Sequence, residues 1–254
     1  MSWVLAGQVI LLGLVQGLTE FLPISSSGHL VLLQHFLPQI SVQPVILDTF
    51  LHAGSLVALF FFFWPQWKKI IEDKKLLLNV FLATFITAVI VFPFKNLVED
   101  SFSQPKIVGL CLLFTGFVLA GASYYKKNFS SRVNWKNSVI VGLLQSLAVL
   151  PGISRSGITI SAGIFSNLRS KTAIRFSFLL AIPLIAGAVA GELSNVARIN
   201  NGLLPYYLLG AAVSCIFSFW SLKFLVKLLS LHQRKLIYFA LYCWIIGILT
   251  LILM

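Results

Sequence analysis

Apolar residues run almost unbroken over six stretches of the chain, at roughly 44–64, 76–94, 106–124, 172–191, 204–226 and 236–253. Each is close to the ~20 residues a helix needs to cross bilayer hydrocarbon, so each predicts a membrane-spanning helix. Two further apolar regions, 3–37 and 138–168, are interrupted in the middle by proline, glycine and serine. Their halves, about 12 to 18 residues long, are marginal or short for a crossing and predict re-entrant hairpins. Non-helical backbone at membrane depth is tolerated only where protein or a water-filled cavity satisfies it, so each break should line a cavity.

The two interrupted regions are related. GLVQGLTEFLPISSSG from Gly13 aligns without a gap with GLLQSLAVLPGISRSG from Gly142, with half of the positions identical. The chain therefore divides into repeat one, 1–124, with the hairpin 3–37 and three spans, and repeat two, 138–254, with the hairpin 138–168 and three spans. An odd number of spans per repeat inserts the second copy upside down. The expected fold is an all-α polytopic membrane protein, one membrane domain over 1–254, with an inverted-topology repeat of six transmembrane helices plus two re-entrant helical hairpins.

Charge sets the orientation. Basic residues cluster at Lys68–Lys75, Lys126–Lys136, Arg169–Arg175 and Lys223–Lys235, whereas the intervening loops 95–106 and 192–201 mix Lys95, Lys106 and Arg198 with Glu99, Asp100 and Glu192. The basic clusters are expected in the cytoplasm and both termini outside. With 58% hydrophobic and 10% charged residues, the net charge of +12 reads as loops facing anionic lipid, and no nucleic-acid partner is expected. The start of the chain lacks a basic segment ahead of its apolar run, which argues against a cleaved signal peptide. Cys111, Cys215 and Cys243 sit inside apolar runs without metal-ligand spacing and read as small hydrophobes.

Candidate chemistry gathers at the breaks. A proline ends one helix of each hairpin and a serine can cap the next, leaving a helix N-terminus suited to phosphate. Ser25, Ser26 and Ser27 in the first break and Ser154 and Ser156 in the second would add hydroxyl donors, or serve simply as caps. Arg155, which aligns with Ser26, sits in an apolar hairpin and calls for an anionic partner. Glu20, one helical turn after Gln16, is either that partner or a ligand for Mg²⁺ or Ca²⁺. His29 is a candidate acid or base. Asp48 and His52, four residues apart, could help hold a metal or tune a proton, or pair structurally.

EFLPISSSGHL with the preceding QGLT, PGISRSGITI at 151–160 and RFSFLLAIP at 175–183 together resemble the undecaprenyl-diphosphate phosphatase family, the bacitracin-resistance membrane proteins of bacteria. The resemblance covers essentially the whole chain. It implies hydrolysis of undecaprenyl diphosphate to undecaprenyl phosphate for cell-wall synthesis, a divalent cation, and a site open to the extracytoplasmic side of the plasma membrane. By motif position it makes Glu20, Ser26, His29 and Arg155 catalytic, with Ser26 the proposed nucleophile. Beside these, Ser25, Ser27, Ser154, Ser156, Thr159 and Gln16 are expected around the substrate, and Glu20 on the metal, with Gln16 and Asp48 as further candidate ligands. Water activated by Glu20 or His29 is the alternative nucleophile. A transporter or flippase of a phosphorylated lipid or anion is the rival function, since broken helices meeting at the midplane are also a transporter plan. Oligomeric state stays open, a homodimer included.

Overall fold

The computed structural model describes residues 3–37, 44–94, 102, 104–125, 129–192, 202–230 and 232–254. The expected outward loops 95–106 and 192–201 lie largely outside the described residues, as do Lys126 and Lys127. Among the described residues there is no strand, only an isolated bridge between Ser130 and Leu168. The helices are α1 (Trp3–Thr19), α2 (Ser26–Phe36), α3 (Pro44–Phe62), α4 (Trp67–Glu72), α5 (Lys74–Val91), α6 (Pro105–Tyr124), α7 (Trp135–Gln145), α8 (Arg155–Phe165), α9 (Ser170–Gly191), α10 (Leu204–Leu229) and α11 (Leu236–Leu253).

Six of these, α3, α5, α6, α9, α10 and α11, are long and apolar enough to cross a membrane, so the chain is an all-α polytopic membrane protein. They match the six predicted spans to within a few residues. The short α4, between the first two spans, is additional. The interrupted regions fold as helix–break–helix pairs, α1 with α2 and α7 with α8. In neither does the proline itself end the first helix. α1 stops at Thr19, ahead of Pro23, and α7 passes at Gln145 into a 3₁₀ turn over Ser146–Val149, ahead of Pro151. The missing proline N–H instead shapes the turn that follows.

Exposed and inward faces differ in both residue size and polarity. Leu78, Phe81, Phe85 and Val89 of α5 and Ile216, Trp220 and Phe224 of α10 are exposed. Inside, small and hydroxyl residues let helices approach closely, which is how helices associate when lipid is as apolar as their own side chains. Gly13 and Gly17 of α1 face Gly210 and Ser214 of α10. Ser55 of α3 bonds Ser214 at 3.0 Å and accepts from Ser218 at 2.9 Å, while the Ser221 hydroxyl donates to the Gly17 carbonyl at 3.0 Å. The two halves also exchange partners. α1 packs on α10, and its sequence counterpart α7 packs on α5, the counterpart of α10.

The tightest crossing is at Gly54 of α3, where an added Cβ would collide with the backbone carbonyl of Ala211. Gly54→Ala should therefore destabilise the protein by about 1–3 kcal/mol despite alanine's higher helix propensity. Gly7→Ala on α1, where nothing lies within 4 Å, should be neutral or stabilising. Thermal unfolding of the two variants in the same detergent makes the comparison, and equal midpoints would contradict close packing at Gly54.

Candidate active site

The two breaks meet inside the bundle. Ser25 has a positive φ of 68°, a conformation few non-glycine residues adopt. Several bonds hold it there. Its hydroxyl accepts from the Gly28 N–H at 3.3 Å, capping α2, and from the Gly152 N–H of the opposite break at 3.1 Å. In return, the Ser156 hydroxyl donates to the Leu22 carbonyl at 2.9 Å. Gly152 has φ +97°, and a Cβ there would press on α6 at Val108 and Cys111, so both its conformation and its position call for glycine. Thr115 of α6 pins this turn, donating to the Gly152 carbonyl at 2.9 Å and accepting from the Ser154 N–H at 3.1 Å. The Ser154 side chain caps α8 through the Gly157 N–H.

Glu20 is the centre of this junction and is almost fully buried. Its Oε1 accepts from Arg155 Nη2 at 2.5 Å. Its Oε2 accepts from the Ser26 hydroxyl at 2.6 Å and from Gln16 Nε2 at 2.9 Å. His52 Nε2 approaches Oε2 at 3.6 Å. The other ring nitrogen of His52, Nδ1, donates to the Asp48 carbonyl at 2.7 Å, which fixes the ring toward the carboxylate. Two polar groups here are buried without hydrogen-bond partners, Arg155 Nη1 and Gln16 Oε1. An unpaired buried donor on a guanidinium half-occupied by Glu20 is suited to an incoming anion oxygen.

A cavity of about 400 Å³ opens beside the pair. Its polar lining is Glu20, Ser25, Ser26, Ser27, His52, Thr87, Gln145, Ser154 and Arg155, and Leu184, Ile185, Val91 and Val149 form an apolar side. The structure thus brings together seven of the residues singled out from the sequence, Glu20, Ser25, Ser26, Ser27, His52, Ser154 and Arg155, and places the others elsewhere. Gln16 stands behind Glu20. Ser156 is spent on the Leu22 carbonyl, and Thr159 bonds Ser177 at 2.6 Å away from the cavity. The His29 ring turns toward α11, where Nε2 accepts from the Tyr242 hydroxyl at 2.7 Å and Nδ1 donates to the Ser25 carbonyl at 2.7 Å. In this arrangement His29 positions Ser25 rather than facing the cavity. Asp48 accepts from Gln34 at 2.8 Å and also lies outside it.

Of the Asp48 and His52 pair, only His52 lines the cavity. Two polar cavity residues, Gln145 and Thr87, are not singled out by the sequence pattern. Gln145 is the counterpart of Gln16 in the alignment, a signal that could have drawn attention to it, and it donates to Thr87 at 2.9 Å while its Oε1 is left without a partner. Nothing local marks Thr87. Among the described residues no group of three His, Cys, Asp or Glu side chains could hold a metal alone. The hard oxygens of Glu20 and the unpartnered Gln16 Oε1 fit a cation that takes its remaining ligands from a phosphate-bearing substrate, as Mg²⁺ commonly does.

Fold and site define a helical membrane protein with a buried carboxylate–guanidinium pair shared by two helix breaks. The chain belongs to the BacA family, whose model, described as bacitracin resistance protein BacA, matches residues 9–249. It is 41% identical to the undecaprenyl-diphosphatase of Halothermothrix orenii, covering 97% of each chain. To the undecaprenyl-diphosphatase of Syntrophotalea carbinolica it is 37% identical over 94% of this chain and 95% of the other. That of Protochlamydia amoebophila is also 37% identical, over 96% of each.

Removing one member of a buried ion pair strands the other and typically costs about 3–5 kcal/mol, whereas removing both costs far less. Arg155→Gln and Glu20→Gln should each lower the thermal midpoint, and the double variant should lose clearly less than the sum of the two. Additive losses in this double-mutant cycle would mean that the two side chains are not coupled.

Proposed function

We propose that the chain is an undecaprenyl-diphosphate phosphatase, converting undecaprenyl diphosphate and water into undecaprenyl phosphate and inorganic phosphate. The observation that carries the reading is the pairing of a hydroxyl, Ser26, with a buried carboxylate, Glu20, beside a guanidinium with an unoccupied donor. A nucleophile within hydrogen-bond reach of a base that is itself held by a third group is the arrangement phosphoryl transfer needs. The names of the relatives give the substrate.

In the proposed reaction the diphosphate head enters the 400 Å³ cavity while the isoprenoid chain stays in lipid along the apolar side. Ser26 Oγ attacks the terminal phosphorus and its proton passes to Glu20. The bond from that phosphorus to the bridging oxygen breaks, and undecaprenyl phosphate leaves with the electron pair. Glu20 passes its proton to the departing undecaprenyl phosphate and then takes one from water, which attacks the phosphoserine; the bond from phosphorus to Ser26 Oγ breaks, Glu20 returns the proton to Oγ, and inorganic phosphate departs. Arg155 Nη1 and the donors at the start of α2 stabilise the charge that develops on the phosphoryl oxygens. A divalent cation, when bound, would supply further neutralisation of the diphosphate, with Glu20 and Gln16 as its protein ligands. His52 would steady the carboxylate through each transfer.

The same proposal includes the inverted repeat, with both helix–break–helix pairs re-entrant and the cavity opening to the extracytoplasmic side of the bacterial plasma membrane. It is supported by the exchanged packing of α1 on α10 and α7 on α5 and by the basic loops at the far end of the helices.

The test is phosphate release from the lipid diphosphate by purified protein in detergent, where transport has no meaning. Wild-type protein should release phosphate, chelator should suppress the release, and added Mg²⁺ or Ca²⁺ should restore it. Ser26→Ala should fall to near background, whereas loss of a hydroxyl that is only a hydrogen-bond donor would cost nearer ~10²–10³-fold. Substantial turnover by Ser26→Ala would transfer the nucleophile's role to water, and no release by the wild type would remove the hydrolase reading.

A further inference from the structure

The helices that wall the candidate active site carry a second cavity at their other end. It measures about 460 Å³ and is lined by Asp73, the cap of α5, with Lys75 and Leu76, by Ser131, Arg132 and Val133 ahead of α7, and by Lys171, Thr172, Arg175 and Phe176 at the start of α9. The first cavity is lined farther along the same three elements, by Thr87, Gln145 and Leu184 among others. At 1.5 Å per helical residue the two lie roughly 15–20 Å apart along the bundle.

Four cations, Lys75, Arg132, Lys171 and Arg175, surround this space against one carboxylate, Asp73. Among the described residues none of the four is ion-paired. Asp73 is already occupied in capping α5, accepting from the Leu76 N–H at 3.0 Å. The wall that presents Arg132 is built, not frayed. Ser130 N–H donates to the Asn167 carbonyl at 2.7 Å, Arg169 N–H donates to the Ser130 carbonyl at 2.9 Å, and Thr172 reaches the Ser131 carbonyl. General attraction to anionic lipid explains basic residues around a membrane rim. It does not explain four of them converging on one concavity with a fixed wall.

A second observation gives the ligand an apolar part. Lys171 and Arg175 also border an adjoining cavity of about 310 Å³, whose other lining is largely apolar, including Phe62, Phe63, Ile174, Phe178 and Val226. A compartment of unpaired cations thus continues past two shared side chains into an apolar one. The geometry points to a second lipid site, at the opposite end of the bundle from Glu20, that takes a lipid phosphomonoester with its head among Lys75, Arg132, Lys171 and Arg175 and the start of its chain beside Phe62 and Phe178. A monoester carries nearly two negative charges and three terminal oxygens, and so matches four cations better than the single charge of a phosphodiester headgroup. The site stands on its own cavity and does not require the hydrolase reading.

The test uses full-length protein in nanodiscs of zwitterionic lipid, with a polyprenyl monophosphate carrying a photoreactive group near its head. Labelled peptides are mapped after illumination. Wild-type protein should be labelled around residues 62–66 and 171–178. The Lys171→Gln/Arg175→Gln variant, altered only at exposed side chains, should lose roughly tenfold of that label, since two charge-assisted contacts are removed. Its labelling near residues 20–27 and its activity in detergent should be unchanged, which reports an intact fold. Excess phosphatidylglycerol or inorganic phosphate should compete poorly. Absence of label at the basic end, or label that survives the double substitution, would overturn the site. Equal competition by phosphatidylglycerol would reduce it to ordinary lipid contact. Full competition by inorganic phosphate at the concentration of the lipid would make it a site for the free anion.

Discussion

A carboxylate and a guanidinium buried in an apolar helical bundle cannot each stand alone, because either charge without its partner would cost several kcal/mol. Glu20 comes from the break after α1 and Arg155 from the first turn of α8, so meeting each other fixes how the two breaks are placed. Most of the junction follows from that constraint. The Ser25 hydroxyl accepts from the Gly152 N–H, Ser156 reaches back to Leu22, and Ser26 is brought onto the carboxylate oxygen that Arg155 does not hold. The pair leaves one guanidinium nitrogen of Arg155 without a partner, on a side chain that lines the cavity.

The same economy appears in the helices. Their outer faces carry large side chains for lipid, and where α1, α3 and α10 cross, glycine and serine allow close approach beside buried Val9, Leu12, Leu47 and Leu51. A break in such a bundle can be polar without exposing backbone to hydrocarbon, because neighbouring helices supply partners. Thr115 of α6 does this for the second break, and Tyr242 of α11 does it for the first by way of His29.

Length and hydropathy alone located the six long helices, since about 20 apolar residues have few other fates. The internal alignment put Ser26 and Arg155 in corresponding positions, and the structure finds both on Glu20. What local pattern could not supply are contacts between residues distant in the chain. His52 looked like the partner of Asp48 because they are one turn apart, but the Asp48 carbonyl turns its ring to Glu20, 32 positions back, and the Asp48 carboxylate goes to Gln34. The serines around His29 mark it as a candidate acid or base, but they do not announce the tyrosine in the last helix that its ring meets. The basic residues were legible as a rim, but their convergence on one concavity depends on the clamp between Ser130 and Asn167, which no periodicity announces.

The central claim is that both breaks hold one phosphoryl group. A structure of the protein with a polyprenyl lipid bearing a non-hydrolysable methylene diphosphonate head tests it most directly. The account predicts the terminal phosphonate within about 3.2 Å of both Arg155 Nη1 from the second break and the Ser26 or Ser27 hydroxyl from the first. A head bound by one break alone, or bound away from Glu20, would contradict it.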